Sequence, residues 1–336
     1  MTDIKFGFHL STEEHPPADL VRYAQQGEAS GFDFATMSDH FHPWLDSQGQ
    51  SPFAWSVLGA VAQATTNLQV GTAVTCPIMR YRPEIIAQAA ATTEVMMPGR
   101  FFLGLGTGEN LNEHITGDHW PRVPQRREML EEAVDVIRAL WSGDLTSHHG
   151  KYYTVEDARI YTMPDDAPPI FIAASGPRSA ELAGRIGDGL ITIAPKPKLL
   201  EEFENAGGKG KPSYCQMTMC WAKDMATARK TAYKYWRTSV VPGPLHPNLP
   251  LPSDFDAISK LSNEESLAGK IPMGPDPETY VKKIRERIDA GFDHVFLHQI
   301  GHEQDGFFEF ISREVLPHVR RDLAGAGSAR HRAASD

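Results

Sequence analysis

Short apolar and β-branched runs alternate along this chain with longer stretches whose apolar residues recur every third or fourth position. The first pattern suits strands buried on both faces, the second helices with a single apolar stripe. Strands are expected over residues 5–9, 32–38, 68–75, 101–106, 170–174, 189–193, 216–221 and 294–298. Helices are expected among them over residues 18–30, 126–141, 179–186 and 279–290. Such alternation builds βαβ units on a parallel sheet, and eight strands close a (β/α)8 TIM barrel of the α/β class. Gly-Phe-Asp occurs at residues 31–33 and again at 291–293, each time between a helix and a strand, as a glycine C-cap would give.

Three segments exceed the minimal repeat: 110–124, 144–164 and 239–275. The first follows the fourth strand and is expected at the catalytic mouth, where the loops after barrel strands gather. The second has the look of an appended hairpin. The third carries Pro242, Pro244, Pro247, Pro250 and Pro252, and is too long for an idle connection; a lid or a pocket wall is expected. With 336 residues, the chain is expected to form a single domain over 1–322, followed by a small, polar, disordered tail over 323–336.

Composition narrows the function. A net charge of −10 and the lack of a basic stripe disfavour nucleic acid as a partner. Cys76, Cys215 and Cys220 have no metal-type spacing, so no metal site is expected and a reducing cytoplasm is the natural compartment. No apolar run approaches the ~20 residues of a membrane span, and the first residues lack the pattern of a secretory signal.

Candidate chemistry clusters at the ends of the expected strands. Behind the second strand stands Ser-Asp-His-Phe-His-Pro-Trp, residues 38–44, which places Asp39 and His40 at the mouth. A histidine there can exchange a proton with a substrate hydroxyl, so His40 is the candidate base. His42 is expected to turn away into packing. The fourth strand runs into Gly-Leu-Gly-Thr-Gly-Glu-Asn-Leu-Asn-Glu, residues 104–113, whose glycines let a ring approach the backbone while Glu109 and Asn112 supply an acid and an amide. Its G-x-G-x-G spacing, with no helix directly behind it, is not the nicotinamide-dinucleotide fingerprint. Ser175 and Gly176 stand before an expected helix, where backbone amides hold anions, although a plain cap gives the same letters. Lys196 follows the sixth strand and adds a cation to that face.

Together these segments resemble the luciferase-like superfamily, and within it the F420-dependent glucose-6-phosphate dehydrogenases. The most specific pieces are S-D-H-F-H-P-W, the segment G-T-A-V-T-C-P-I-M-R-Y at 71–81, G-T-G-E-N-L-N-E and A-G-R-I-G-D-G at 183–189. The resemblance implies a TIM-barrel homodimer that binds coenzyme F420, a deazaflavin, at the mouth. It implies His40 as the base for the sugar's C1 hydroxyl, Trp44 beside the reacting centre and Glu109 as the acid serving the reduced ring. It implies cofactor contacts from Asp39, Asn112, Ser175 and Gly176, and a bulge with a non-prolyl cis peptide at Ala73 and Val74. Cys76 replaces a family threonine at another contact. For the sugar phosphate it implies Lys196, Lys260 and Lys270, with Ile193 where the family has a threonine.

The leading expectation is therefore an F420-dependent dehydrogenase that oxidises a sugar 6-phosphate at C1 to the lactone. An F420-dependent secondary-alcohol dehydrogenase, or a reductase of another small molecule, would keep the same His40, Trp44 and Glu109. An FMN-dependent monooxygenase or a barrel that only stores a flavin stands further off, since neither needs a base for a hydroxyl proton.

Overall fold

The computed structural model describes residues 4–333. Its strands are β1 (Lys5–Leu10), β2 (Phe34–Met37), β3 (Gln69–Thr72), β4 (Phe101–Leu105), β5 (Thr146–His149), β6 (Thr154–Ala158), β7 (Ile170–Ala173), β8 (Gly189–Thr192), β9 (Ser213–Met219) and β10 (His294–Gln299). All except β5 and β6 run parallel in one closed barrel of order β1-β10-β9-β8-β7-β4-β3-β2, closed by the pairing of Lys5 with His294. The expected TIM barrel is the fold observed. The seventh barrel strand begins three residues earlier than the sequence pattern indicated and ends at Met219. Cys220 has already left the sheet to bridge to Met273, while Tyr214 is drawn inward.

Phe34, Phe102, Phe171, Ile191, Tyr214 and Phe296, from six strands, fill the barrel's interior. Glycines on the neighbouring strands make room for those rings: a Cβ on Gly71 would lie 2.2 Å from the Phe102 ring, and one on Gly7 2.4 Å from that of Phe34. The barrel is thus a packed core rather than a pore, and polar residues are left for the strand ends. Outside it the helices bury one stripe each, as Leu20, Tyr23 and Ala24 do in helix Pro17–Ala29.

The 144–164 segment is the expected hairpin, formed by β5 and β6. Glu132 anchors it by accepting the backbone N–H groups of Lys151, Tyr152 and Tyr153 at 3.1, 3.0 and 2.8 Å. The 110–124 segment holds the short helix Asn110–Glu113 and the turn His114–Thr116. The 239–275 segment contains the turn His246–Asn248, helix Pro252–Ser259 and the turn Glu264–Leu267, and buries Phe255 and Leu267. Helix Leu316–Ala333 runs straight past residue 322, because Leu323 packs on the main core and Arg285 pairs with Asp322. Residues 334–336 lie outside the described ones.

Candidate active site

A cavity of about 1270 Å³ opens at the C-terminal ends of the strands. Every barrel strand sends residues to it: His9 from β1, Ser38 to His40 after β2, Ala73 and Val74 after β3, Gly106 to Glu109 after β4, Ala174 to Gly176 after β7, Thr192 and Ile193 from β8, Gln216 and Thr218 from β9, and His298 from β10. The peptide between Ala73 and Val74 is cis, as the resemblance implied.

His40 is held on both sides. Its Nδ1 lies 3.0 Å from the carbonyl oxygen of His42 and 3.3 Å from Nδ2 of Asn112, and its Nε2 lies 3.4 Å from Oε1 of Glu13. Glu13 was not singled out from the sequence, yet it is the group that completes this arrangement. Its other oxygen accepts the hydroxyls of Ser38 at 2.5 Å and Ser11 at 3.1 Å. Burial alone would raise the Glu13 carboxyl, but His40, His9 and the Ser38 hydroxyl outweigh it and bring the carboxyl down to about 2. The group facing His40 is therefore a carboxylate.

Trp44, 7% exposed, packs its ring 5.0 Å from that of His40, 4.4 Å from that of His246 and 5.2 Å from that of Phe255. Glu109 stands in the same cavity, half-exposed, 3.8 Å from Nδ1 of His246. His246 and Phe255 belong to the 239–275 segment, which therefore forms a wall of the site. Sequence reasoning missed His246, which lies in a proline-rich stretch with no strand end to mark it.

Two expected cofactor contacts have other duties as well. Asp39 accepts Thr75 Oγ1 at 2.7 Å, Arg80 Nη2 at 3.1 Å and Tyr81 OH at 3.2 Å, tying β2 to the segment after β3. Asn112 Oδ1 accepts the backbone N–H groups of Phe41 and His42 at 2.9 and 3.2 Å, which fixes the loop carrying His40. His42 turns away as expected, with Nδ1 2.9 Å from the Leu111 carbonyl and its ring stacked on His114. Cys76 lines the cavity and is buried; burial, aided by the charge of Glu113, pushes its thiol well above the usual range. At Ser175 and Gly176 the cap is already made: Ser179 Oγ lies 3.3 and 3.2 Å from their backbone nitrogens.

The expected phosphate site is not assembled as drawn. Lys270 lines the cavity, but Lys196 and Lys260 do not. Lys260 is drawn off by Asp256, one helical turn earlier, at 2.5 Å. Lys196 is exposed at the cap of helix Pro197–Phe203 while its neighbours Ile193 and Pro195 face the cavity. Arg126, which the sequence did not flag, lines the cavity instead.

A mouth of strand-end loops carrying a histidine and carboxylates, at the C-terminal face of a closed parallel barrel, is where TIM-barrel enzymes hold their active sites. The model of the luciferase-like monooxygenases matches residues 1–294, and the chain belongs to this family. Within it, the chain is 34% identical to the F420-dependent glucose-6-phosphate dehydrogenase of Microbacterium testaceum, over 96% of this chain and 99% of that protein. The Mycobacterium avium protein of the same name is also 34% identical, with the same coverage. Among solved structures, an F420-dependent secondary alcohol dehydrogenase in complex with an F420-acetone adduct superposes with a TM-score of 0.87 at 32% identity, covering 94% of this chain and 99% of that one. The F420-dependent tetrahydromethanopterin reductase of Methanopyrus kandleri, at 22% identity, TM-score 0.74 and coverage of 94% of this chain and 99% of that one, shares the fold. Among the described residues, no helix is long and apolar enough to cross a membrane.

Proposed function

We propose that this chain is a coenzyme F420-dependent dehydrogenase that oxidises a CH–OH donor in the cavity, with a sugar 6-phosphate, taken at C1 to the lactone, as the leading substrate. The observation that carries this reading is the Glu13–His40 pair beside Trp44, 3.4 Å between carboxylate and imidazole. With Nδ1–H donating to the His42 carbonyl, the tautomer assigned from that 3.0 Å contact, Nε2 is the basic nitrogen. It takes the hydroxyl proton, and the Glu13 carboxylate steadies the imidazolium that results. Glu109, paired with His246, is the second proton-handling group, and Trp44 walls the reacting centre.

The residues fit a deazaflavin. At Gly106 and Gly108 a Cβ would lie 2.6 Å from Val74 and 2.3 Å from Cys76, so these glycines let the loop after β4 close against the segment after β3, and together they form one side of the cavity in which the ring would lie. The buried Arg126, without a hydrogen-bond partner at Nε or Nη1, suits a ligand that carries anions. Asp39, Ala73, Val74, Cys76, Asn112, Ser175 and Gly176 would hold the group, which supplies the hydride acceptor when bound. The same reading takes the protein as a cytoplasmic homodimer, and its mass in solution tests the dimer.

The secondary-alcohol reading has an observation of its own: Lys196 and Lys260 stay out of the cavity, and Ile193, 68% exposed, presents an apolar side chain to it. Anaerobic mixing with oxidised F420 separates the two. Loss of the deazaflavin's visible absorbance with glucose, mannose or fructose 6-phosphate supports the sugar-phosphate reading. Reduction by 2-propanol alone transfers the assignment to alcohols, and silence with every donor despite F420 binding sinks both. Lys270→Ala should raise KM about tenfold for a phosphorylated donor and spare an unphosphorylated one; an equal effect on the two removes the phosphate site.

A further inference from the structure

The floor of the cavity has two unlike halves. On the side of β3, β4, β7 and β8 it presents small or apolar residues, Ala73, Val74, Gly106, Ala173 and Ile191. On the side of β9, β10 and β1 it presents Gln216, Thr218, His298 and His9. The strand period explains the placement. Tyr214 and Phe296 point into the packed barrel, so Gln216 and His298, the next residues of the same face on β9 and β10, point inward one layer higher. His9 pairs in register with Thr36 of β2 and continues that layer towards the base. It feels the charges of both Glu13 and His40.

This polar half is uncharged. Burial brings the His298 imidazole down to about 4, and burial together with His298 brings that of His9 down to about 3 against the pull of Glu13. Polar groups set into a barrel interior cost desolvation unless they are hydrogen-bonded, and here the bonds are only partly made. Gln216 Nε2 lies 3.0 Å from Thr218 Oγ1 and 3.3 Å from His298 Nδ1, contacts that assign the amide's orientation and use its N–H groups. Gln216 Oε1 and the Thr218 hydroxyl hydrogen find no partner among the described residues, although both side chains are half-buried. His9 Nδ1 lies 2.8 Å from Thr36 Oγ1, and in either tautomer Nε2 remains for a ligand. His298 is held from behind, with Nε2 3.6 Å from Glu14 Oε1 and the Trp236 ring edge-on at 4.5 Å. A free acceptor beside a free donor matches a hydroxyl group, which both donates and accepts. A simple alcohol presents its one hydroxyl to His40 and leaves this floor unpaired, while a charged group finds no counter-charge on it.

We propose that Gln216, Thr218 and His9 form a specificity floor that reads the donor's further hydroxyl groups beside the reacting carbon, with His298 as the residue that positions Gln216. The donor is then selected through its hydroxyls more than through a phosphate, and its class is a polyhydroxylated one, a sugar with or without phosphate. This rests on the dehydrogenase reading above and adds to it a recognition element that works whether or not Lys270 holds an anion. The apolar half of the floor is left for a flat ring, and the polar half for the donor.

Anaerobic reduction of F420 by matched donors tests this. Glucose 6-phosphate, 2-deoxyglucose 6-phosphate, glucose and 2-propanol are compared by kcat/KM in the wild type, in Thr218→Val and in the Gln216→Met/Thr218→Val double variant. The wild type should favour glucose 6-phosphate over its 2-deoxy form by about tenfold or more, and should lose less on removal of the phosphate than on removal of that hydroxyl. The double variant should bring the hydroxyl ratio close to one, and Thr218→Ser, which restores the donor, should keep it. Each ratio is taken within one protein, so a general loss of activity cancels. Thr218→Val, which keeps the side chain's shape, holds the test open if the double variant does not fold. A wild-type ratio near one, a ratio that survives in the double variant, or a phosphate that outweighs the hydroxyl overturns the proposal and leaves the dehydrogenase reading standing. Turnover of 2-propanol with no sugar accepted does the same. If no donor reduces F420, the dehydrogenase reading itself has failed and takes the floor with it.

Discussion

Glu13 and Glu14 are neighbours in the chain, both buried, and each backs a histidine that faces the cavity, yet their charge states are opposite. Glu13 stands 3.4 Å from Nε2 of His40, surrounded by the hydroxyls of Ser11 and Ser38, and is held ionised at about 2. Glu14 stands 3.6 Å from Nε2 of His298 and accepts the Gly301 N–H at 2.6 Å, but burial, reinforced by the charge of Glu13, pushes its carboxyl up to about 8. His298 is kept neutral by burial, down to about 4. The difference lies in solvation supplied by the fold. Hydroxyls and a histidine that can take a charge make a carboxylate tolerable in one place, while in the other the Gly301 amide, with smaller help from His302 and Gln48, does not offset burial and the charge of Glu13. The first pair is equipped to carry charge during a reaction, while the second gives the cavity floor an uncharged lining.

The largest effect should come from His40. His40→Ala is expected to lower turnover by roughly two to four decades, the usual weight of a general base, with cofactor affinity nearly unchanged. If stopped-flow and binding measurements instead show lost binding and intact chemistry, the charged pair is structural and the contrast with the second pair loses its meaning. Glu13→Gln should follow with a loss of about one to two decades in kcat and little change in KM, because the base remains but its imidazolium loses the carboxylate. Glu13 also contributes to folding. Its carboxyl is depressed, so its stabilisation is present above the unfolded value and is lost as the pH falls towards about 2. A Glu13→Gln enzyme with wild-type kcat would place the two glutamates in one class.

The barrel was legible because buried parallel strands read as unbroken apolar runs between glycines and polar caps, and seven of the eight expected strands overlap their observed counterparts without a shift of frame. The eighth, β9, follows a Gly- and Lys-rich stretch, and its opening Ser213 and Tyr214 gain their place only by pairing with β8 and β10. His40, Trp44 and Glu109 were legible from their positions behind strands. Glu13 was not, since Ser-Thr-Glu-Glu reads as a polar turn until Ser38 from the next strand closes over it. His246 reaches Trp44 only through the tertiary course of the long segment. Lys260 shows the opposite failure, where a residue type was read without its local partner. Asp256 stands four residues before it on the same helix face, a spacing that already predicts an ion pair.

The smallest catalytic effect should come from Glu14→Gln, and its larger signature is in stability. Glutamine keeps an acceptor for the Gly301 N–H and cannot ionise, so turnover at neutral pH should stay within about threefold of wild type. The sign for folding is opposite to that of Glu13. Between the unfolded carboxyl value of 4.5 and the folded value of about 8, the native protein holds a proton that the unfolded chain has released. Wild-type stability therefore carries a falling contribution from Glu14 as pH rises through that interval, which levels off above it and amounts to a few kcal/mol. Denaturant unfolding at pH 5 and pH 9 should show Glu14→Gln losing less stability than the wild type over that span. Parallel losses in the two proteins would mean that Glu14 is ionised in the folded state, and the two neighbouring glutamates would then differ in their partners but not in their charge.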